Sequence, residues 1–132
     1  MGQKLTKQII QFDSCSDDYA WYAVFTKFNC EQKFAHDFSE AISRYEFYED
    51  FDKLFLPWKE YDIEKTNAQG KTVKRHKIEK IMSLYVFIHC RMNEHVYDVI
   101  RNTPGFADIM NSGGSIIVIP DEKMEQIKQS CI

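Results

Sequence analysis

Two segments, residues 20–27 and 81–91, alternate large rings with aliphatic side chains. Both are rich in aromatic and β-branched residues, which favours β-strands. Because successive side chains of a strand point to opposite faces, each segment sorts into two unlike faces. One face suits packing under helices and collects Tyr22, Val24, Leu84, Val86 and Ile88. The other is a layer of large rings, Trp21, Phe25, Tyr85 and Phe87. Either the protein covers this ring layer itself or a partner does, and the function depends on which.

Length and charge limit the classes that the chain can belong to. Its 132 residues suffice for one domain with a real core. The formal net charge of −3 argues against a protein that holds nucleic acid by charge alone. Four cysteines without metal-like spacing (Cys15, Cys30, Cys90, Cys131) predict free thiols in a reducing compartment. Neither a membrane-length apolar run nor a signal-peptide core is visible, so we expect a cytoplasmic protein.

The order of elements predicts an α+β domain. Residues 1–18 are polar and are predicted to be a flexible leader to a domain over residues 19–130. Helical spacing of apolar residues predicts a first helix over 30–46, with Asn29 as its N-cap. Asn93 is the expected N-cap of a second helix, which stops at Pro104-Gly105, and Pro120-Asp121 opens a third.

A strand is predicted before the first helix, at residues 20–27, and further strands are predicted at residues 54–61, 84–91 and 115–119. Residues 62–80 are charged and contain an Asn67–Gly70 turn signal, which predicts an extended hairpin or a mobile loop. The predicted fold is a ferredoxin-like βαββαβ antiparallel four-stranded sheet with flanking helices. The first helix should cover the face that carries Val86 and Ile88, because a one-residue slip would exchange the two layers.

Catalytic motifs do not occur in this sequence. The four histidines and four cysteines form no HExxH, nucleophile elbow or CxxC pattern, and there is no phosphate-binding or dinucleotide glycine loop. His89 and Cys90 are neighbours on a predicted strand and therefore point to opposite faces. We expect no enzyme activity, no cofactor and no metal site.

The order and spacing of several short motifs resemble the N-terminal domain of the NusG family of transcription elongation factors. The resemblance covers residues 20–129 and rests on Trp21-Tyr22, Glu31, Lys33, Pro57, Tyr85-Val86-Phe87, Thr103-Pro104-Gly105 and Ile119-Pro120-Asp121. With a phenylalanine at Phe87, the Tyr85-Val86-Phe87 motif resembles that of the specialised paralogues, such as RfaH and the UpxY regulators of capsule operons, more than that of housekeeping NusG. Two features depart from the family: Ser83-Leu84 replaces its usual Pro-Gly or Pro-Asn, and no KOW domain is expected in these residues.

The resemblance implies a docking partner. In such domains the aromatic patch docks on the clamp helices of the largest catalytic RNA polymerase subunit and modulates pausing or termination. The positions that correspond in this chain are Trp21, Phe25, Met82, Tyr85 and Phe87. Methionine and aromatic side chains also suit a groove that grips a helix.

Basic residues supply a second set of candidates. The run from Lys71 to Lys80 is either a solvated hairpin or a contact with upstream DNA or nascent RNA. Lys27 and Lys33 fall where RfaH-like proteins place basic residues against the non-template strand. The candidate nucleic-acid contacts are therefore Lys27, Lys33, Lys74, Arg75 and Lys77.

Two other readings of the aromatic face stay open at this point. A βαββαβ sheet bearing rings is also the design of an RRM-like single-stranded RNA-binding module. However, the segment before Leu84 lacks the basic residue and glycines of that motif. The ring face is alternatively a homodimer surface, although we expect a monomer.

Overall fold

The computed structural model describes residues 18–45 and 48–132, so nearly all of the predicted leader, residues 1–18, lies outside the described part. Four antiparallel strands form the central sheet in the spatial order β2-β5-β1-β6. These strands are β1 (Ala20–Thr26), β2 (Phe51–Phe55), β5 (Tyr85–Cys90) and β6 (Phe106–Ile109). Two hairpins are added to it, β3 (Trp58–Thr66) with β4 (Thr72–Lys80), and β7 (Asn111–Ser112) with β8 (Ser115–Ile116). The α+β class with an antiparallel sheet is confirmed.

Three helices flank the sheet: α1 (Glu31–Ile42), α2 (Glu94–Asn102) and α3 (Asp121–Ser130). The predicted cap of α2 is confirmed, since Asn93 Oδ1 accepts a hydrogen bond from the Val96 amide at 2.9 Å. The predicted cap of α1 is wrong. Cys30 occupies the N-cap position, and Asn29 lies outside the helix with a φ of 58°. The helix also ends at Ile42 and not at residue 46, because the apolar stripe does not continue into the exposed Tyr45.

The core lies between the two central strands and the helices α1 and α2. It contains fully buried side chains from each of these elements, including Phe34, Phe38, Val86, Ile88, Val96 and Ile100. A side chain of this kind contributes roughly 1.5–3 kcal/mol when it leaves water. The face predicted to pack under the helices is therefore the core face for Tyr22, Val24, Val86 and Ile88.

The predicted second strand, residues 54–61, is divided at Pro57. Leu54 and Phe55 pair with β5 in the central sheet, whereas β3 begins at Trp58 and leaves the sheet to pair with β4. Proline has no amide hydrogen to donate to a neighbouring strand, so a strand is readily interrupted there. The Pro57 carbonyl instead accepts hydrogen bonds from the amides of Ile81 and Met82.

The predicted last strand, residues 115–119, is present only as Ser115–Ile116, and its predicted place in the central sheet is wrong. The fourth strand of the sheet is β6, which pairs antiparallel with β1, while Ser115–Ile116 closes a two-residue hairpin on β7. Ile119 contributes only an isolated bridge to Trp21. The four residues of β6 include Asp108 and form too short a run for the alternation of a strand to be recognised.

Residues 58–80 form an extended hairpin, one of the two forms predicted for the charged segment. The pairing runs without a shift from Trp58 opposite Lys80 to Thr66 opposite Thr72. The predicted turn is present: Asn67 Oδ1 accepts hydrogen bonds from the Gln69 and Lys71 amides. Every residue from 64 to 79 is exposed, so the outer hairpin stands in solvent on both faces.

Leu84 does not belong to the core face on which the sequence placed it. It precedes β5, has a φ of 72° and is 38% exposed. Its carbonyl accepts a hydrogen bond from the Thr26 amide at 2.8 Å, which holds this turn against the end of β1. A positive φ is the conformation that glycine adopts without cost, so Ser83-Leu84 places a side chain where a Cβ is disfavoured.

We expect Leu84→Gly to be more stable than Leu84→Ala by about 0.5–1 kcal/mol. The left-handed backbone costs a residue with a Cβ about 1–2 kcal/mol, and the greater freedom of unfolded glycine offsets part of this. Comparing glycine with alanine cancels the loss of the leucine side chain. Urea unfolding of both variants measures the difference. A more stable alanine variant would contradict the backbone conformation at this turn.

Candidate functional site

The predicted contact residues come together on one face of the sheet. β1 and β5 are neighbours in a register that sets Phe25 opposite Tyr85 and Ala23 opposite Phe87. The Phe25 and Tyr85 rings meet edge to face with centroids 4.9 Å apart, and Tyr85 stacks on Phe87 at 5.8 Å. Met82 packs against the same cluster from the segment before β5. The alternation read from the sequence therefore produces a continuous aromatic layer.

Helix α3 covers about half of this layer. Met124, which is 1% exposed, and the bridging Ile119 form a buried cluster with Trp21, Ala23 and Phe87. Phe87 is 1% exposed and Trp21 is 5% exposed. Phe87 is therefore a buried member of the aromatic layer and offers no surface to a partner. Trp21 offers very little surface. This differs from the expectation that all five predicted residues form the contact.

The uncovered half consists of Phe25, Met82 and Tyr85, which we call the outer patch. Each of the three is partly exposed, and two further apolar residues, Phe55 and Met110, are partly buried against the same cluster. These two were missed from the sequence. Phe55 of β2 lies opposite Phe87 of β5. Correct prediction of this strand pairing would have placed Phe55 beside the aromatic layer.

Cationic side chains border the covered half. Lys128 Nζ lies 4.8 Å and Lys53 Nζ lies 5.9 Å from the centroid of the Trp21 ring. The His89 ring is 4.8 Å from the same ring, and its Nδ1 is 2.7 Å from a carboxylate oxygen of Asp52. Cations over an indole face are attracted by its ring electrons, so they hold Trp21 in place beside α3.

A buried carboxylate connects the outer patch to the hairpin. Glu31 is 1% exposed, and it accepts hydrogen bonds from the Leu84 amide at 3.0 Å and from Lys80 Nζ at 3.2 Å. Lys80 also donates to Asn29 Oδ1 and lies over the Trp58 ring. The N-terminus of α1, the end of β4 and the turn before Tyr85 are therefore joined at one side chain.

These contacts set the ionisation of Glu31. Burial alone would raise the pKa of its carboxyl group, but hydrogen bonds from the Leu84 amide, its own amide and the Lys80 ammonium group outweigh burial, and the pKa is lowered. Because the folded pKa lies below the unfolded one, this group stabilises the fold above about pH 4.5. The contribution is lost as the pH falls through the folded pKa.

We expect Glu31→Gln to destabilise the domain by about 1–2 kcal/mol at neutral pH, because the acceptor of the hydrogen bonds from the Leu84 amide and Lys80 Nζ loses its negative charge. The gap to the wild type should narrow in acid, where Glu31 itself is protonated. Urea unfolding at neutral and acidic pH measures both effects. Glu79→Gln removes an exposed carboxylate of the hairpin and is the control. A gap that does not change with pH would contradict the role of the Glu31 charge.

The five basic candidates do not form one site. Lys27 follows β1 and Lys33 lies in the first turns of α1, whereas Lys74, Arg75 and Lys77 belong to β4. The charge of Lys33 is paired, since its Nζ lies 2.9 Å from Asp37, and this contact raises the pKa of the lysine. Lys74 lies 4.0 Å from Glu64. Lys74 and Arg75 are successive strand residues and point to opposite faces of the hairpin.

The described residues hold no cluster of three or more His, Cys, Asp or Glu side chains that could bind a metal ion. Cys30, Cys90 and Cys131 carry free thiols, whereas Cys15 lies outside the described residues. Burial raises the pKa of the Cys90 thiol, which keeps it protonated and inert. Across residues 18–45 and 48–132, no helix is both long and apolar enough to cross a membrane.

Known proteins resemble this chain in sequence and in fold. A family model described as transcription termination factor nusG matches residues 19–128. No curated protein matches the chain. Among the solved structures, a chain of Thermotoga maritima NusG, from work on its domain interaction, superposes with a TM-score of 0.59 at 23% identity. That match covers 85% of the present chain and 56% of the Thermotoga chain, so the present chain spans little more than half of that relative.

The structural likeness shows the shared fold, and the family model covers most of the chain. NusG proteins are a family of transcription factors and not of enzymes. This chain belongs to the NusG family of transcription elongation and termination factors.

Proposed function

We propose that this domain docks on the clamp helices of the largest catalytic subunit of RNA polymerase and modulates pausing or termination. The observation that supports this is the outer patch, in which Phe25, Met82 and Tyr85 remain partly exposed beside a buried aromatic layer. Apolar patches on monomers commonly mark interaction sites. Aromatic and methionine side chains are typical of grooves that receive a helix.

The outer patch is held rigidly enough to act as a preformed surface. Tyr85 lies between Phe25 on the neighbouring strand and the buried Phe87. The turn before Tyr85 is fixed by the Glu31 carboxylate and the Thr26 amide. A surface that is ordered before binding loses little side-chain entropy on association, which favours affinity.

Within the family we place this chain with the specialised antitermination factors of the RfaH and UpxY kind. The support is the Tyr85-Val86-Phe87 sequence of β5. Such a factor acts in the cytoplasm, where free thiols persist. Transcription in vitro through a terminator tests the assignment: more read-through on addition of the protein supports antitermination, and more pausing contradicts it.

The RNA-binding alternative receives less support from the described residues. An RRM-like module stacks bases on rings of its central strands. Here Phe87 of the central strand is fully covered by the cluster around Met124 and Ile119. The homodimer alternative predicts that the apparent mass rises with concentration, which sizing of the protein over a concentration series would detect.

Cross-link mapping tests the docking proposal at its stated partner. A photoreactive phenylalanine analogue in place of Phe25 should cross-link to the clamp helices of purified polymerase. The same analogue in place of Tyr48, which is 53% exposed and precedes β2, is the matched control and should not. Cross-links from position 25 to another part of the polymerase would overturn the assignment.

A further inference from the structure

The outer patch is carried in part by a turn with an unfavourable backbone conformation. Residues 81–84 form this turn, which contains Met82 and is followed directly by Tyr85 at the start of β5. Leu84 has a φ of 72°, which a residue with a Cβ adopts only where surrounding contacts impose it. The relative position of Met82 and Tyr85 therefore depends on the contacts that hold residues 81–84.

Three contacts from distant elements hold this turn. The Pro57 carbonyl accepts hydrogen bonds from the amides of the first two turn residues, at 3.0 Å and 3.3 Å. The Thr26 amide donates to the Leu84 carbonyl, and the Leu84 amide donates to Glu31 Oε2 at 3.0 Å. The first two contacts join backbone groups that the strands already fix in place. The third uses a side-chain acceptor, so it depends on what orients Glu31.

Lys80 fixes the orientation of the Glu31 carboxylate. Each carboxylate oxygen has its own partner, since Oε1 accepts a hydrogen bond from Lys80 Nζ at 3.2 Å and Oε2 accepts one from the Leu84 amide. Rotation of the carboxylate would therefore break at least one of these bonds. Glu31 is 1% exposed, so water does not readily replace a lost partner.

The base of the hairpin holds Lys80 in turn. Lys80 lies directly opposite Trp58 in the pairing of β3 with β4, and its Nζ is 5.4 Å from the centroid of the Trp58 ring. The same Nζ donates to Asn29 Oδ1 at 3.1 Å. The Lys80 side chain is 30% exposed, so its charge is screened less by salt than that of a fully exposed lysine. Lys80 therefore connects the hairpin to the turn of the outer patch through Glu31.

We propose that Lys80 and Glu31 are positioning residues of the docking surface. Their ion pair holds the Leu84 amide and thereby fixes the arrangement of Met82 and Tyr85 that polymerase meets. The inference rests on the proposed docking function, and it adds a determinant of affinity that lies outside the outer patch. Loss of the Lys80 ammonium group leaves a buried carboxylate without its counter-charge. A turn that is less fixed before binding has to be ordered on association, which lowers affinity.

Amide hydrogen exchange in the free protein tests the first step of this proposal. Lys80→Leu removes the charge and keeps an apolar side chain beside Trp58, and the Leu84 amide is expected to exchange roughly tenfold faster. Lys77→Leu removes the same charge from an exposed position of the same strand and should leave this exchange rate unchanged. Lys80→Arg retains a cationic donor and should restore most of the protection. Unchanged exchange of the Leu84 amide in folded Lys80→Leu would overturn the proposal.

The affinity for purified RNA polymerase, measured without nucleic acid, tests the second step. Lys80→Leu should bind about three- to tenfold more weakly than the wild type, and Lys77→Leu should bind as the wild type does. An equal loss of affinity in both variants would show an effect of net charge alone and would overturn the proposal.

A double-mutant cycle with Glu31→Gln distinguishes positioning from direct contact of Lys80 with polymerase. If Lys80 acts through the Glu31 charge, Lys80→Leu should lower the affinity little further in the Glu31→Gln protein. Equal losses in the two backgrounds would show that Lys80 acts independently of Glu31 and would contradict its positioning role.

Thermal melting of each variant confirms that folded proteins are compared. If Lys80→Leu does not fold, Glu31→Gln alone should still show faster exchange of the Leu84 amide and weaker binding, and the absence of either effect would overturn the proposal. Failure here is distinguishable from failure of docking. Faster exchange with unchanged polymerase affinity would overturn the positioning role alone. Wild-type protein that does not bind polymerase would overturn docking itself, and this role with it.

Discussion

Phe87→Ala is expected to destabilise the domain by about 3–5 kcal/mol, the range for removing a buried ring from a core. Phe87 is 1% exposed and packs with Trp21 and Met124 between the sheet and α3. Its removal leaves a cavity lined by side chains from the sheet and α3. This cavity cannot close completely, because the sheet lies on one side of it and α3 on the other. The ring that sequence motifs mark as a contact residue is therefore expected to act first on stability.

Urea unfolding of the wild type and of Phe87→Ala measures this loss. Phe28→Ala is the matched control, because it removes the same side chain from a position that is 81% exposed, and a change within about 0.5 kcal/mol is expected there. A loss below about 1 kcal/mol at Phe87 would show that α3 does not seal the aromatic layer. The layer would then be open along its whole length.

Tyr85→Ala is expected to have the opposite profile. Tyr85 lies two residues before Phe87 on the same face of β5, but it belongs to the outer patch and remains partly exposed. Its truncation should cost much less stability than that of Phe87. As an interface anchor it should instead cost about 2 kcal/mol or more of binding to polymerase, near thirtyfold in affinity.

The contrast between these two rings comes from what covers them and not from their chemistry. Phe87 lies opposite Ala23, and Ile119 and Met124 fill the space above this pair. Tyr85 lies opposite Phe25 at the end of the sheet that these residues do not cover. If α3 were absent or moved away, both rings would present the same face to a partner.

Alternation along two strands was sufficient to predict the two faces of the sheet. Val86 and Ile88 lie under the helices and Tyr85 and Phe87 lie on the other face, because a period of two leaves no other arrangement once one face is buried. The cap at Asn93 was also predictable, because the hydrogen bond that forms it is local: its donor, the Val96 amide, is only three residues further along the chain. Local signals therefore located most elements of the fold.

Features that depend on distant parts of the chain were not predictable. The division of residues 54–61 at Pro57 depends on a hairpin that leaves the sheet and returns at Ile81. The conformation of Leu84 is held by Glu31, more than fifty residues earlier, and nothing in the local sequence favours a positive φ. The strand β6 is defined by its pairing with β1, and its own composition does not favour a strand.

The candidate site was predicted in part for the same reason. Phe25, Met82 and Tyr85 form the outer patch, but the sequence could not show that Ile119 and Met124 would cover Trp21 and Phe87. Nor could it show which cations share a face of the hairpin, because this depends on the register between β3 and β4. The covering of the aromatic layer and the register of the hairpin both depend on contacts between segments that are distant in sequence.

The most direct test of the central claim is the affinity of purified RNA polymerase for three folded proteins: the wild type, Tyr85→Ala and Tyr48→Ala. Tyr48 is 53% exposed and lies outside the outer patch, so it controls for the loss of any exposed tyrosine. Docking through the outer patch predicts that Tyr85→Ala binds about thirtyfold more weakly, while Tyr48→Ala binds as the wild type does. A folded Tyr85→Ala protein with wild-type affinity for polymerase would contradict it.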